Sequence, residues 1–259
     1  MIIKAIKTHK ITNKDNDLFK ILDKYVKNLN EGSILVIASK IVAITQGRVV
    51  NPAEVDVDDL IKKEADLFIP KELHKNKLFV TLKNNILTFS SGIDESNGNG
   101  YLVLWPDNPQ KVANDIRKYL SKKIKVKKLG VIITDMTALP MRWGVIGGAI
   151  AYSGFKPLKD LRGKPDIFGK IYKYTKVGIL NGLAAAASVV MGEGAEQTPI
   201  AIIEDVEFVD FVDRDPTQSE LDNLVISPEE DMFGPLFKNA SWQKGGTNLS
   251  FPRKRESMR

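Results

Sequence analysis

The segment LGVIITD, residues 129–135, is a short apolar run that ends on a threonine and an aspartate. Its length and its β-branched residues predict a buried strand, and Asp135 stands where that strand ends. Outward from this strand, the same criteria predict a hairpin and several further strands. The predicted strands are residues 1–11, 33–44 with a polar edge at Ser39 and Lys40, 78–82 paired with 86–90, 101–106, 199–204 and 206–211.

Apolar residues at helical spacing predict helices between these strands. The predicted helices are residues 15–29, ended by Gly32, then 56–68, then 108–123 with Asn108 as cap, and a tightly packed small-residue helix that begins near residue 177. The lysine-rich segment 121–128 alternates lysines with Ile124 and Val126, which is typical of a half-buried strand with a solvated basic face. Since no aromatic residue is interleaved there for base stacking, we expect no nucleic-acid partner.

The composition narrows the class of protein. The 259 residues include no cysteine and two histidines, so any metal site is expected to hold a hard ion bound by oxygen atoms. The longest uncharged run, residues 177–192, is too short to span a bilayer, and the N-terminus lacks the apolar core of a secretion signal. We therefore expect a cytoplasmic protein without a membrane partner.

The chain length allows one large domain or two smaller ones. Residues 1–212 are predicted to form the main domain, with room for two intertwined subdomains. Apolar periodicity is weak beyond that point, so residues 213–259 are predicted to be an extension with a disordered basic tail. Half of the net charge of +6 comes from PRKRESMR, residues 252–259, and the rest of the chain is only weakly basic.

Three acidic residues stand where a predicted strand or helix gives way to a polar or glycine-rich loop. They are Asp94 in SGIDESN, Asp135 in LGVIITD and Glu193 in MGEGAE. If these carboxylates converge, with Asn97 beside them, they suit a magnesium or manganese ion that also binds substrate phosphate oxygens. The alternative, that Asp94 and Asp135 are helix caps or turn residues, stays open.

The sequence contains no GxxxxGK[ST] and no GxGxxG motif, so it has neither a P-loop nor a Rossmann fingerprint. Backbone amides in 91–97 and in 191–198 are candidates for holding phosphate, with Lys40 as a point charge, although glycines in such places are often helix caps or turns. Arg142 and Arg162 are candidates for binding phosphate or carboxylate, and surface ion pairs are the alternative for both.

Five segments, taken in order, resemble the coenzyme F-420-0:L-glutamate ligase (gamma-glutamyl ligase) family. They are GSILVIASKIVAITQGR (32–48), SGIDESN (91–97), GVIITDMTALPMRWGVIGGAIAYSG (130–154), DLRGKPDIFGK (160–170) and LAAAASVVMGEGAEQTPIAII (183–203). The resemblance implies an α+β fold with mixed sheets and packed helices, and it makes residues 1–212 a catalytic domain. It also implies a homodimer that uses GTP and manganese or magnesium to join L-glutamate to a carboxylate of a deazaflavin coenzyme precursor or a related acceptor.

The resemblance also implies roles for individual residues. Asp94 and Asp135 match the catalytic carboxylates that hold one metal ion, and Glu193 matches a residue that helps to hold a second. The positions that match nucleotide-binding residues are Ser39, Lys40, Asn97, Met191, Gly192, Glu193, Gly194, Ala195, Glu196, Gln197 and Thr198.

Three positions depart from the pattern of the family. Met136 stands where the family has a threonine that binds the second metal, and Thr137 is a candidate replacement for that ligand. Ile44 stands at the position of a nucleotide-binding lysine, and Leu139 at that of an arginine. The alternative function is therefore a non-catalytic relative that binds a nucleotide and regulates a partner.

Overall fold

The computed structural model describes residues 1–247, which fall into two compact units made from interleaved segments. Unit 1 comprises Met1–Ile11, Asp17–Val42 and Asn108–Glu220. Unit 2 comprises Thr12–Asn16, Ala43–Asp107 and the described residues from Leu221 onward. The domain boundary at residue 212 stays a prediction, and the basic tail lies outside the described residues.

Helices and strands alternate irregularly along the chain. The helices are α1 (Leu18–Tyr25), α2 (Ser39–Thr45), α3 (Val57–Glu64), α4 (Pro109–Ile124), α5 (Ile179–Met191), α6 (Gln218–Asp222) and α7 (Gly234–Asn239). The strands are β1 (Ile2–Ile6), β2 (Ser33–Ala38), β3 (Val49–Val50), β4 (Leu67–Ile69), β5 (Val80–Lys83), β6 (Ile86–Phe89), β7 (Leu102–Val103), β8 (Leu129–Ala138), β9 (Val145–Ser153), β10 (Leu158–Asp160), β11 (Lys176–Gly178), β12 (Ile200–Glu204) and β13 (Gln243–Lys244).

Unit 1 is built on a five-stranded mixed sheet in the order β1-β12-β2-β8-β9. Strands β2 and β8 run parallel and the other neighbours run antiparallel. One face of the sheet is covered by apolar residues of α1 and α4, such as Leu22, Ile116 and Leu120, which bury Leu35 and Ile133. Mixed sheets packed with helices confirm the predicted α+β class.

Unit 2 contains a four-stranded antiparallel sheet in the order β13-β4-β5-β6 and a two-stranded ribbon of β3 with β7. A small apolar core of Ile61, Ala65, Phe68 and Phe79 lies on this sheet. The predicted hairpin is confirmed, because Asn84 and Asn85 take φ values of 50° and 60° in the turn between β5 and β6.

Several predicted boundaries were wrong. Residues 39–45 leave the predicted strand and form α2, and helix α1 ends at Tyr25, well before Gly32. Helix α3 ends at Glu64, since residues 67 and 68 belong to β4. Strand β8 continues past Asp135 to Ala138. Asn108 precedes α4 as predicted, but it takes a left-handed conformation and its side chain caps nothing within the described residues.

Two predicted strands do not form. Segment 121–128 begins as the last turn of α4, where Lys122 and Lys123 lie at the negative end of the helix dipole, and Lys125 ends the helix in a left-handed conformation. Segment 206–211 makes a turn in which the Val209 amide donates to the Val206 carbonyl at 3.0 Å. Within the described residues, no helix is both long enough and apolar enough to cross a bilayer.

Candidate functional site

The end of strand β8 and the start of helix α2 meet in unit 1. The hydroxyl of Ser39, the first residue of α2, donates to Oδ1 of Asp135 at 2.9 Å. Ser39 is buried, whereas Asp135 is half-buried. Strands β2 and β8 are parallel neighbours, so residues that follow β2 lie at the same sheet edge as the end of β8. The sequence placed both residues at strand ends, but helix α2 was missed and the hydrogen bond with it.

Met136 and Glu193 line a common pocket of unit 1. This pocket has a volume of about 260 Å³ and is lined by Met136, Val145, Ile146, Gly147, Ser188, Val189, Gly192 and Glu193. Because side chains alternate along a strand, Met136 points to the face opposite Asp135. The two positions matched to the second metal site therefore lie at one pocket, on the face of the sheet that helix α5 covers.

A glycine in β9 allows helix α5 to approach the sheet. A Cβ atom on Gly147 would lie 2.0 Å from Oγ of Ser188 and 2.7 Å from the carbonyl oxygen of Ala184, both in α5. Oγ of Ser188 also lies 3.4 Å from the hydroxyl of Thr134 in β8. This close approach places the C-terminus of α5, and hence the loop that carries Glu193, beside the end of β8.

The loop of residues 191–198 is fixed at both ends and exposed in the middle. The amide of Gly192 donates to the Ser188 carbonyl at 2.9 Å, and the Thr198 hydroxyl donates to the Met191 carbonyl. The amide of Thr8 donates to the Gln197 carbonyl at 2.8 Å. The exposed residues between these anchors are Glu193, Gly194, Ala195 and Glu196.

This loop carries two carboxylates within four residues, at Glu193 and Glu196. A polyphosphate is strongly anionic, so such a loop repels a bare nucleotide. A divalent cation turns this repulsion into attraction, because it binds carboxylate oxygens and phosphate oxygens alike. Lys40, which follows Ser39 in the first turn of α2, adds a positive charge near the Ser39–Asp135 pair.

Asp94 lies in unit 2, in the loop between β6 and β7. Its Oδ1 accepts from the Ser96 amide at 2.8 Å, and its Oδ2 accepts from the Ser96 hydroxyl at 2.9 Å. The Asp94 carboxylate therefore closes a turn with Ser96, while the Asp94 backbone forms a β-bridge with Val103, and its role as a metal ligand stays a prediction. A carboxylate has about four acceptor positions, so this turn does not prevent it from binding a cation. Asn97 is exposed at φ 53°, a conformation that asparagine tolerates.

The donor atoms suit a hard cation. In unit 1 they are the carboxylates of Asp135 and Glu193 and the hydroxyl of Ser39, and in unit 2 the carboxylate of Asp94. Oxygen is the donor that magnesium and manganese prefer. Within residues 1–247, no group of three or more carboxylate or imidazole side chains is arranged to hold a metal by itself. The convergence of Asp94 with Asp135 and Glu193 stays a prediction.

The remaining candidates are placed individually. Arg162 forms a surface ion pair with Asp160 at 2.6 Å, and its hydrogen bonds lower the pKa of Asp160 to about 2. Arg142 is exposed between β8 and β9. Ile44 is buried in α2, and Leu139 is about half exposed just after β8. Thr137 lies on the same face of β8 as Asp135 and is not among the residues that line the pocket of Met136 and Glu193.

Known proteins are similar to this chain over most of its length. A sequence model of the family described as F420-0:gamma-glutamyl ligase matches residues 5–205. A protein of Methanococcus maripaludis named coenzyme F420:L-glutamate ligase is 36% identical over 238 residues, which cover 85% of this chain and 92% of the relative. Proteins of the same name from Methanocaldococcus jannaschii and Methanopyrus kandleri are 34% and 30% identical, and each alignment covers 79% of this chain and 86% of the relative.

Proposed function

The chain belongs to the F420-0:gamma-glutamyl ligase family, and on this premise we propose that it uses GTP and manganese or magnesium to join L-glutamate to a deazaflavin coenzyme precursor, or to a related acceptor. It is a ligase of the coenzyme F420 gamma-glutamyl class, which forms a carbon–nitrogen bond between glutamate and a carboxylate. The family match over residues 5–205 carries this proposal, because it includes Asp94, Asp135 and Glu193. Relatives that are named as ligases do not favour the non-catalytic alternative.

The proposed reaction has two steps. The acceptor carboxylate attacks the γ-phosphorus of GTP and breaks the bond between this phosphorus and the oxygen that bridges it to the β-phosphate. This step yields GDP and an acyl phosphate. The glutamate amine, after losing a proton to water, attacks the acyl carbon, and inorganic phosphate leaves as the amide forms. Neither step needs a cysteine or histidine nucleophile, which agrees with a chain of two histidines and no cysteine.

The side chains have separate tasks in this proposal. When bound, the divalent ion supplies positive charge that stabilises the phosphoryl group during its transfer. Asp135 and Asp94 would each provide a carboxylate ligand to this ion, and the Ser39 hydroxyl donates the 2.9 Å hydrogen bond that orients Asp135. Lys40, Asn97 and the loop 191–198 contact the nucleotide. Catalysis of this kind depends mainly on positioning and on charge stabilisation.

The test is a ligase assay with GTP, Mn²⁺, L-glutamate and the deazaflavin precursor, with mass spectrometry to detect the added glutamate. We expect Asp135→Asn and Asp94→Asn each to lower turnover about 100-fold, because each removes charge from a metal ligand. Asp115→Asn is the matched control, since Asp115 pairs only with Lys111 among the ion pairs of helix α4 described here. Unchanged turnover in both site variants would disprove the assignment.

We also propose that the chain forms a homodimer. Unit 1 exposes several large apolar side chains, and exposed apolar surface often marks a protein–protein interface where such side chains adjoin one another. They include Met141, Trp143, Ile167, Phe168, Tyr174 and Val189. Light scattering coupled to size-exclusion chromatography is expected to give twice the chain mass of 28.8 kDa. Trp143→Ser and Phe168→Ser together are expected to shift that mass toward one chain, and a wild-type monomer at micromolar concentration would contradict the proposal.

A further inference from the structure

Asp94 is preceded by an unusual stretch of backbone in unit 2. Ser90, Ser91 and Gly92 take φ values of 48°, 57° and 71°, so three successive residues lie in the left-handed region. For a serine this conformation is uncommon and costs energy, and it persists only where the surroundings impose it. The contacts that impose it therefore determine where the chain enters the Asp94 loop.

The hydroxyl of Thr81 in β5 is central to these contacts. It accepts a hydrogen bond from the Ser91 amide at 2.9 Å and donates one to the Thr88 carbonyl at 3.2 Å. The Ser91 hydroxyl in turn donates to the Ile61 carbonyl of α3 at 2.8 Å. Thr81 and Ser91 are both completely buried, so water cannot replace either partner.

Gly92 is held by a second contact. A Cβ atom at this position would lie 2.0 Å from Nε1 of Trp105, so the backbone lies directly against the indole ring. The ring is buried, and Nζ of Lys83 lies 5.9 Å from its centroid. Nζ of Lys83 forms an ion pair of 2.6 Å with Glu64, which also pairs with Arg48 at 2.7 Å. The indole therefore offers a fixed surface for Gly92.

Asp94 itself is held by backbone hydrogen bonds on its other side. Its amide donates to the Val103 carbonyl at 3.0 Å, and the Val103 amide donates to the Asp94 carbonyl at 2.8 Å. Val103 belongs to β7, which pairs with β3. Only Ile93 separates this bridge from the strained segment, so a change in the conformation of residues 90–92 is transmitted directly to Asp94.

We propose that Thr81 is a positioning residue for the Asp94 carboxylate. Its hydroxyl keeps residues 90–92 in the left-handed region, and this conformation presents Asp94 to the divalent ion in a fixed orientation. The inference rests on the proposed function, because it takes Asp94 as a metal ligand. Removing a group that orients a metal ligand typically weakens metal binding about 10- to 100-fold.

The experiment measures Mn²⁺ binding with GTP present and with acceptor and glutamate absent, by the electron paramagnetic resonance signal of free Mn²⁺. Thr81→Val keeps the shape of the side chain and removes its hydroxyl, and it is expected to weaken Mn²⁺ binding about tenfold. Thr81→Ser restores the hydroxyl and is expected to bind within about twofold of wild type. Thr88→Val makes the same chemical change at the cross-strand partner of Thr81 and is expected to leave Mn²⁺ affinity unchanged.

The melting temperature of each variant separates positioning from folding. If Thr81→Val lowers the melting temperature but binds Mn²⁺ as wild type does, the positioning role is wrong. If Thr81→Val does not fold, Ser91→Gly replaces it, because glycine accepts the left-handed conformation and deletes only the hydrogen bond to Ile61. Ser91→Gly is expected to weaken Mn²⁺ binding several-fold in a folded protein, and wild-type affinity in it would overturn the inference.

Asp94→Asn distinguishes a failure of this inference from a failure of the proposed function. If Asp94→Asn binds Mn²⁺ and GTP as wild type does, Asp94 is not a metal ligand and the assignment on which the inference rests is wrong. If Asp94→Asn loses binding while Thr81→Val and Ser91→Gly retain it, the metal site stands and only the positioning role of Thr81 is rejected.

Discussion

Met136 is the residue at which this chain departs most clearly from the chemistry expected of its family. It lines the pocket of Glu193 at the position where the family resemblance implies a threonine hydroxyl, and a thioether is a poor ligand for a hard ion. We predict that Met136→Thr lowers the Mn²⁺ concentration needed for half-maximal activity by about threefold to tenfold, by adding an oxygen donor beside Glu193. A Mn²⁺ titration of the initial ligase rate measures this change.

Met136→Leu is the control, since it removes the sulfur without adding an oxygen and nearly preserves volume. It is expected to leave the Mn²⁺ requirement unchanged. If Met136→Thr and Met136→Leu behave alike, an oxygen donor at this position does not bind the ion. Thr137 is no substitute in this respect, because the alternation of β8 places it on the Asp135 face.

Two glycines, Gly147 in β9 facing helix α5 and Gly182 within α5, separate close packing from helix propensity. Gly147→Ala would place a methyl group against Ser188 and the Ala184 carbonyl of α5, and we predict a loss of about 1–3 kcal/mol in the free energy of unfolding. Gly182→Ala, within α5 and with open space around its Cβ position, is predicted to raise that free energy by about 0.5–1 kcal/mol. Urea denaturation measures both free energies of unfolding. If Gly147→Ala and Gly182→Ala change this free energy equally and in the same direction, the close approach of β9 to α5 is contradicted.

Helix α6 begins with a reciprocal capping arrangement that predicts a pH dependence. The Glu220 amide donates to the Thr217 hydroxyl at 3.2 Å, and the Thr217 amide donates to the Glu220 carboxylate at 2.8 Å. Hydrogen bonds from the Arg214 guanidinium and from Thr217 lower the pKa of Glu220 from 4.5 to about 2. A lowered pKa contributes stability above the unfolded pKa, and this contribution is lost as the pH falls from 4.5 toward 2.

We therefore predict that Glu220→Gln lowers the free energy of unfolding at pH 7 by about 1 kcal/mol, a value reduced for solvent screening because Glu220 is partly exposed. The difference between wild type and Glu220→Gln is expected to shrink as the pH falls from 5 to 3 in urea titrations. Arg214→Gln removes the other partner and should reduce the same pH dependence. A difference that stays constant over this range would show that Glu220 is not responsible for it.

The sequence predicted elements better than it predicted their ends. Apolar periodicity located β2, β8, α4 and α5, because those residues form the buried core of unit 1. It missed α2, because only Ser39 and Lys40 separate the apolar run of β2 from the apolar residues 41–44 and no turn residue intervenes. It also predicted a separate strand over residues 206–211, where the buried Val206 and Val209 are joined by a turn. Local periodicity cannot distinguish these cases, since tertiary packing decides them.

For the candidate site, too, the sequence predicted some features and missed others. Acidic residues beside glycine-rich loops indicated Asp94, Asp135 and Glu193, and the Ser39–Asp135 hydrogen bond supports the pairing of two predicted residues. The roles of Thr81 and Trp105 had no signal in the sequence, because a buried threonine hydroxyl and an indole ring in a core read as ordinary strand residues. Both residues matter because Ser90 and Ser91 take a left-handed conformation, and a serine in a sequence does not indicate such a conformation.

At the scale of the whole molecule, charge is unevenly distributed along the chain. Residues 252–259 contain four basic residues and one acidic residue, which account for half of the net charge of +6. We predict that a chain ending at residue 247 elutes from heparin at a lower salt concentration than the full chain, since fewer basic side chains contact the negatively charged heparin. Its ligase activity is expected to be unchanged, and a loss of activity would show that the C-terminal residues contribute to catalysis.

The strand order of unit 1 has a consequence for synthesis. Strand β12, made from Ile200–Glu204, lies between β1 and β2, so one of the last strands to leave the ribosome takes an interior place beside the first. At ~5–20 residues per second, β1 waits about 10–40 s for its partner. During that interval β1 has no neighbour and β2 presents a bare edge, which makes the nascent chain a natural client for a chaperone.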